Sequence, residues 1–340
     1  MSKAVKLADI AKIVGVSTVT VSKALSDQKG VSEELRARIK KISEEMGYKQ
    51  PSVARREAIK YKSHQFGVLI ADSYLDKYQS FYWQLYQEVS IYAMQYESFA
   101  MLEVVGQFPD GEYELPKLVR EQVVDGLIII GKLKSAYLDF LRKNTNLPIV
   151  YLDFMDGRIN SDAVISDSYY GAYNLTNYLI SKGHKDIAFV GTVLATPSIT
   201  DRYYGYVKAL SQKGIPVRPE WQIDDRSLES GQIYDEYIKL PSPMPTAFFC
   251  NCDLLAAKMI QLLKKVGYRV PEDISVVGYD NYIHPGLCDI GITTYEVDQK
   301  DMAAQAVDIL IKRMNHETCQ YGTRIVEGHL IKKESVTAKY

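Results

Sequence analysis

Long apolar runs are missing from this chain. Nowhere do 18 consecutive apolar residues occur, and the start MSKAVKLADI holds no apolar signal core, so a cytoplasmic protein that neither spans a membrane nor is exported is expected. Cysteine is scarce. Cys250, Cys252, Cys288 and Cys319 are too few for a disulfide scaffold, and the CxC pair adjoins an apolar run with no histidine at ligand spacing, so it reads as buried strand rather than a metal site. There is no Walker loop, no GxGxxG and no GxSxG, and the five histidines are scattered. No catalytic residue, cofactor or metal is therefore expected, and the chain reads as a non-enzyme.

What is present is length and an uneven charge. With 340 residues and 46% apolar content the chain can bury more than one core, and two or three domains are expected. The net charge of −1 conceals a basic start: residues 1–62 hold 14 Lys and Arg against 7 Asp and Glu, and the remainder holds 27 against 35. A small basic segment on a larger acidic one is the pattern of a polyanion-binding head on a body with another task.

In the head, Leu7, Ile10, Ala11 and Val14 recur at helical spacing, Gly15 breaks the run, and Ser17 can cap a second helix with Val21, Ala24 and Leu25 inside. That pattern predicts helix, tight turn, helix. The outer side of the second helix would carry Thr18, Val19, Thr20, Ser22 and Lys23, short hydroxyls plus one long cation, suited to phosphates and base edges in a major groove. A third helix is predicted from Ser32, with Leu35, Ile39, Ile42 and Met46 inward and Arg36, Arg38, Lys40 and Lys41 mostly outside, ending at Gly47. On helical pattern alone, a small bundle with a solvated charged face is the competing reading.

From His64 the pattern becomes apolar runs alternating with amphipathic helices: FGVLIA (66–71), SFAMLEVV (98–105), VDGLIIIG (124–131), LPIVYLD (147–153), DIAFVG (186–191), TAFFC (246–250) and ISVVGYD (274–280). Continuous β-branched runs of this kind predict parallel strands buried on both faces. Ligands of such sheets bind beyond the carboxyl ends of strands. The residues to inspect there are Asp72, Ser73, Gly131, Lys132, Asp153, Thr192, Asn251 to Asp253, Asp280 and Asn281. Aromatic residues Tyr74, Tyr78, Phe81, Tyr82 and Trp83 cluster past the first run; Phe81 and Tyr82 are candidates to stack on the apolar face of a bound ligand, with Phe81 packing inward beside Leu85 and Val89 as the alternative.

The run VKLADIAKIVGVSTVTVSKALS, then VS at 31–32, GY at 47–48 and VAR at 53–55, resembles the head of the Lac repressor/Gal repressor family. The body carries matching landmarks in VDGLIIIG (124–131), GHKDIAFVG (183–191), DRYYGY (201–206) and VPEDISVVGYDN (270–281), so the resemblance covers nearly the whole chain. It implies a helix-turn-helix DNA-binding domain over 1–49, a hinge over 50–63, and over 64–340 a periplasmic-binding-protein-like α/β body of two lobes (about 64–160 with 298–325, and about 161–297 with 326–337) with an effector in the cleft.

By the same resemblance Ser17, Thr20 and Ser22 touch phosphates, Thr18 and Val19 read bases, Lys23 reaches a base edge or phosphate, and Lys6, Arg55 and Arg56 join the DNA contacts. The hinge departs from the family pattern: Gln50, Pro51 and Glu57 replace the usual Pro, Asn and DNA-inserting Leu. A carboxylate in a minor groove meets phosphate repulsion and desolvation, so Glu57 is not expected to insert; Ile59 after a shift, or a weaker kink, are the alternatives.

In the cleft, Asp153, Arg202 and Asp280 are implied as hydroxyl clamps, with Asp72, Phe81, Tyr82, Arg226 and Cys252 as further effector residues; Cys252 stands where the family often has Asn. Capping carboxylates, or an Arg202 ion pair with Asp201 or a nearby acid, are the structural alternatives. No leucine heptad follows the last strand at IKKESVTAKY, so a homodimer on a roughly palindromic double-stranded operator is expected, with a sugar as the small-molecule effector. A purine, a phosphorylated metabolite or a protein partner remains open as the controlling ligand, as does a sugar-binding protein or enzyme with an appended helix-turn-helix.

Overall fold

The computed structural model describes residues 7–25, 30–46, 48, 63–75, 81–106, 108, 111–157, 160–228, 231–282 and 286–339. Lys6, Gly47, Gln50, Pro51, Arg55, Arg56, Glu57, Ile59 and Tyr78 lie outside the described residues. The chain divides into two compact units, Met1–Lys62 and Ser63–Tyr340.

Among the described residues the first unit has three helices: α1 (Leu7–Val14), α2 (Thr18–Leu25) and α3 (Glu33–Glu45). Gly15 has φ +77, and the N–H groups of Gly15 and Val16 both donate to the Ala11 carbonyl at 2.9 and 3.1 Å, closing α1 before α2 begins. Ser17 caps α2 by accepting the Thr20 N–H at 3.1 Å, and the two hydroxyls lie 2.8 Å apart. Ile10, Val21, Ala24 and Ile39 are fully buried at the centre, with Leu35, Ile42 and Met46 packed around them.

Arg36 departs from expectation. It is buried, with its Nη1 and Nη2 donating at 3.4 Å to the carbonyls of Ala24 and Val31. The Ala24 carbonyl in the last turn of α2 and the Val31 carbonyl just before α3 draw the guanidinium inward, a force that the periodicity of α3 alone does not reveal. Arg38 and Lys41 are exposed.

In the second unit the elements run β1 (Gln65–Ala71), α4 (Phe81–Gln95), β2 (Phe99–Val105), α5 (Lys117–Arg120), β3 (Gly126–Ile130), α6 (Ser135–Asn144), β4 (Ile149–Leu152), β5 (Asp162–Ser166), α7 (Ser168–Ser181), β6 (Ile187–Val190), α8 (Pro197–Gln212), β7 (Gln222–Ile223), β8 (Ala247–Cys250), α9 (Asp253–Lys265), β9 (Ser275–Val277), β10 (Thr294–Glu296), α10 (Gln299–Met314), β11 (Thr323–Val326) and β12 (His329–Ile331). Every one of the seven apolar runs is a strand, and β3, β6 and β8 are buried along their whole length. Helices on both faces bury these strands, hence unbroken apolar runs rather than alternation.

Two parallel sheets result, in the orders β11-β5-β4-β3-β1-β2 and β7-β6-β8-β9, with β10 and β12 forming a small antiparallel pair. The chain passes between the lobes three times, between β5 and α7, between β10 and α10, and between β11 and β12. The first sheet holds the chain through Ser166 and takes it back for Thr323–Val326, so β5 lies in the first sheet although the sequence reading begins the second lobe at about 161.

Candidate functional site

Strand ends place the side chains of the body's cleft. A cavity of about 570 Å³ is lined from the first lobe by Asp72, Ser73, Tyr74, Phe81, Tyr82 and Asp153, and from the second by Arg202, Arg226, Asn251, Cys252 and Asp280. All eight effector residues named from the sequence line this one cavity. Asp72 opens the short turn after β1, Phe81 and Tyr82 start α4, and Asp153 and Asp280 follow β4 and β9.

Both carboxylates sit on left-handed backbone, Asp153 at φ +66 and Asp280 at φ +94. That conformation costs a non-glycine residue roughly 1–2 kcal/mol and aims each side chain off the strand axis into the cavity. Neighbouring Gly131 is left-handed too (φ +72), and a Cβ there would lie 2.8 Å from the Tyr74 ring, so the aromatic wall requires glycine at the end of β3.

On the first lobe Tyr82 donates its hydroxyl to Asp153 at 3.1 Å and packs on Tyr74, ring centroids 4.6 Å apart. Burial pushes the Asp153 carboxyl up to about 7; the nearby Arg202 charge and the Tyr82 hydrogen bond pull it down, and Asp280 adds to the rise. The Tyr74 phenol rises to about 12 by burial and the Asp153 charge. On the second lobe Arg202 donates to Asp280 at 2.9 Å and to the Asn251 carbonyl at 2.6 Å, and its guanidinium lies 3.9 Å from the Tyr279 ring centroid. Its ion-pair partner is thus a nearby acid, Asp280, rather than Asp201. Burial works against the Arg202 charge, but Asp280, Tyr279 and Asp153 more than offset it and keep the group ionised; Asp280 itself is raised by burial against the pull of Arg202.

Arg226 is held from behind. It donates to Asp225 through Nε at 2.9 Å and Nη2 at 2.7 Å, and to Asn251 at 3.3 Å, while the buried Asp225 accepts from the Thr192 and Asn251 N–H groups. Burial opposes the Asp225 charge, yet Arg226 and these hydrogen bonds bring its carboxyl below the ordinary range. Cys252 faces the cavity with its thiol pushed up to about 12 by burial, so it acts as a small neutral wall and not as a nucleophile.

The cavity also takes in Thr196, Ser198, Gln232, Lys258, Tyr282 and Leu287, which were not singled out in the sequence. The Thr-Pro pair that starts α8 was a legible signal: Thr196 caps that helix by accepting the Ile199 N–H at 3.1 Å. The others lie on loops or on a helix face that local pattern does not direct.

In the head, Thr18, Val19, Ser22 and Lys23 are exposed along α2. Val19 is 62% exposed, an apolar surface that no core requires. The Ser17 and Thr20 hydroxyls are joined in the helix cap.

Residues 6–51 match the family described as bacterial regulatory proteins, lacI family, and residues 176–336 match the periplasmic binding protein-like domain. Over 334 residues, 97% of this chain and 97% of that protein, the sequence is 30% identical to the HTH-type transcriptional repressor PurR of Aliivibrio salmonicida (strain LFI1238). The chain belongs to the lacI family. It is also 27% identical to the PurR repressor of Pasteurella multocida (strain Pm70) over 97% of this chain and 98% of that one. Among solved structures, the Lac repressor dimer bound to operator and the anti-inducer ONPF aligns with a TM-score of 0.64 at 25% identity, covering 99% of this chain and 100% of that chain. As a lacI-family member, the protein is a DNA-binding transcriptional repressor, with a helix-turn-helix head and a periplasmic-binding-protein-like body. No described helix is long and apolar enough to cross a membrane.

Proposed function

We propose that this repressor is controlled by an uncharged polyhydroxyl effector, a sugar, held between Asp153 with Tyr82 on one lobe and Arg202 with Asp280 on the other. The charge pairing of the cleft carries this reading. Among the described residues its three lining cations each have a carboxylate partner: Arg202 with Asp280, Arg226 with Asp225, and Lys258 with Asp235. Asp72 adds a further carboxylate to the lining and Asp153 one that ionises near neutrality, so an anionic ligand would enter against repulsion. Hydroxyl groups meet no such barrier, and an ionised carboxylate accepts from two adjacent hydroxyls while a guanidinium fork donates to two oxygens.

On the DNA side, Thr18 and Val19 read base edges, Lys23 contacts a phosphate or base edge, and Ser17, Thr20 and Ser22 contact phosphates, with Lys6, Arg55 and Arg56 adding charge. Lysine lacks the bidentate fork that arginine offers guanine, so the Lys23 contact is the less exacting kind. The protein acts in the cytoplasm as a homodimer on a roughly palindromic operator, the expectation for a two-fold assembly of helix-turn-helix heads. Effector in the cleft changes operator affinity by a coupling typically worth about 1–3 kcal/mol, and operator changes effector affinity by the same factor.

A neutral purine base is the second reading, favoured by the full-length likeness to repressors named PurR. A thermal-shift screen of the purified chain against neutral sugars, sugar phosphates and purine bases separates the two. A rise in melting temperature with neutral sugars supports the proposal; rises confined to purines or phosphates overturn it.

A further inference from the structure

The clamp residues are only part of the cavity lining. Arg202 is tied to the Asn251 carbonyl, two residues before α9 begins, and the cavity continues from there along that helix. Leu254 and Lys258, one turn apart, both line it, and Gln261 on the same stripe donates to the carbonyl of Leu287, a further lining residue, at 2.8 Å. The stripe is the partly exposed side of α9, whose Leu255, Ala256, Met259 and Ile260 are buried in the lobe core. From Leu254 to Lys258, the stretch of this stripe that lines the cavity, a helix advances roughly 6 Å at 1.5 Å per residue, about the width of one sugar ring. Beside the clamp, a cavity of about 570 Å³ thus offers wall for a second ring.

Its chemistry differs from that of the clamp. Ile233, Leu254 and Leu287 supply apolar surface, Tyr282 an aromatic ring and Gln232 an amide, while the Lys258 ammonium is neutralised by Asp235 at 2.5 Å. An apolar wall with one amide and no net charge suits the hydrophobic face and scattered hydroxyls of a second ring, and not a phosphate. We infer that the effector is an uncharged disaccharide, one ring gripped by Asp153, Arg202 and Asp280 and the second lying along Leu254, Lys258 and Leu287. This rests on the neutral-sugar reading above.

Isothermal titration of the full chain tests it, with glucose, galactose, mannose and xylose set against maltose, cellobiose, lactose, sucrose and trehalose, and with glucose 6-phosphate, adenine, guanine and hypoxanthine as the third set. A disaccharide is expected to bind at least about tenfold more tightly than any of the monosaccharides. Leu254→Ala should weaken that disaccharide by about tenfold while leaving the monosaccharide affinity within about twofold, the size of effect that removing a few methylene groups from an apolar pocket produces. Lys258→Gln, at a partly exposed site, repeats the test should the first variant fold poorly. A monosaccharide that binds as tightly as the best disaccharide, or equal losses for both ligands in each variant, overturns the second-ring site and leaves the sugar reading standing. Binding of the purines or the phosphate alone, or silence across every sugar, overturns the sugar reading and the disaccharide with it.

Discussion

Asp153 is a buried carboxyl whose protonation changes near neutrality, and the sign of the consequence follows from burial. Its folded pKa, about 7, lies above the ordinary 3.8, so between those values the folded state holds a proton that the unfolded state has released. Stability therefore falls as pH rises from about 4 to 7 and then levels, by a total on the order of 4 kcal/mol. Asp153→Asn keeps the shape, tolerates left-handed backbone and removes the slope: denaturant unfolding should show the variant gaining on the parent through that window and no further above it. Effector binding should run the other way, weakening below pH 7 as the acceptor is protonated. Asp280→Ala should abolish the effector response while leaving operator affinity within about twofold, read by fluorescence anisotropy of labelled duplex with and without effector; loss of operator binding as well would mark Asp280 as purely structural. Removing that carboxylate also strands the buried Arg202, a loss of about 3–5 kcal/mol in unfolding free energy.

Among the elements, α1 and α2 depend on the turn between them. A Cβ at Gly15 would meet no other atom within 4 Å, so Gly15→Ala is penalised by the left-handed backbone alone, about 1 kcal/mol, and a shift of that size in the head's unfolding would confirm it. On α2, Lys23→Ala should lower the slope of log affinity against log salt by about 1 if the ammonium neutralises a phosphate. Much of this architecture was readable beforehand because a strand buried on both faces has to be written as an apolar run. Strand β5 escaped notice: Asp162 to Ser166 offers three apolar residues, and it is held in place by β11, some 160 residues later in the chain. The same limit applies to the cleft. The rule that ligands meet strand ends found Asp72, Asp153 and Asp280, and the family resemblance supplied Arg202; Gln232, Lys258 and Tyr282 come from loops and a helix face whose direction is set by tertiary packing.

For the molecule as a whole, the division after Lys62 puts the helix-turn-helix head and the body that holds the proposed effector cleft in separate compact units. Saturating the cleft at a hundred times the dissociation constant should stabilise the body by about 2.7 kcal/mol, and calorimetry should show that gain in the body's transition with the head's left in place. The order of the chain adds a temporal consequence. The head's core draws on residues up to Tyr48, whereas the first sheet of the body is closed by β11, whose last residue is Val326. A ribosome adding roughly 5–20 residues per second delivers the two on the order of 15–60 s apart. During synthesis each new molecule thus has the residues of its helix-turn-helix head well before those of the sheet that completes the proposed effector cleft, and on the function proposed above the nascent chain would for that interval carry its DNA-binding head with no means of answering an effector.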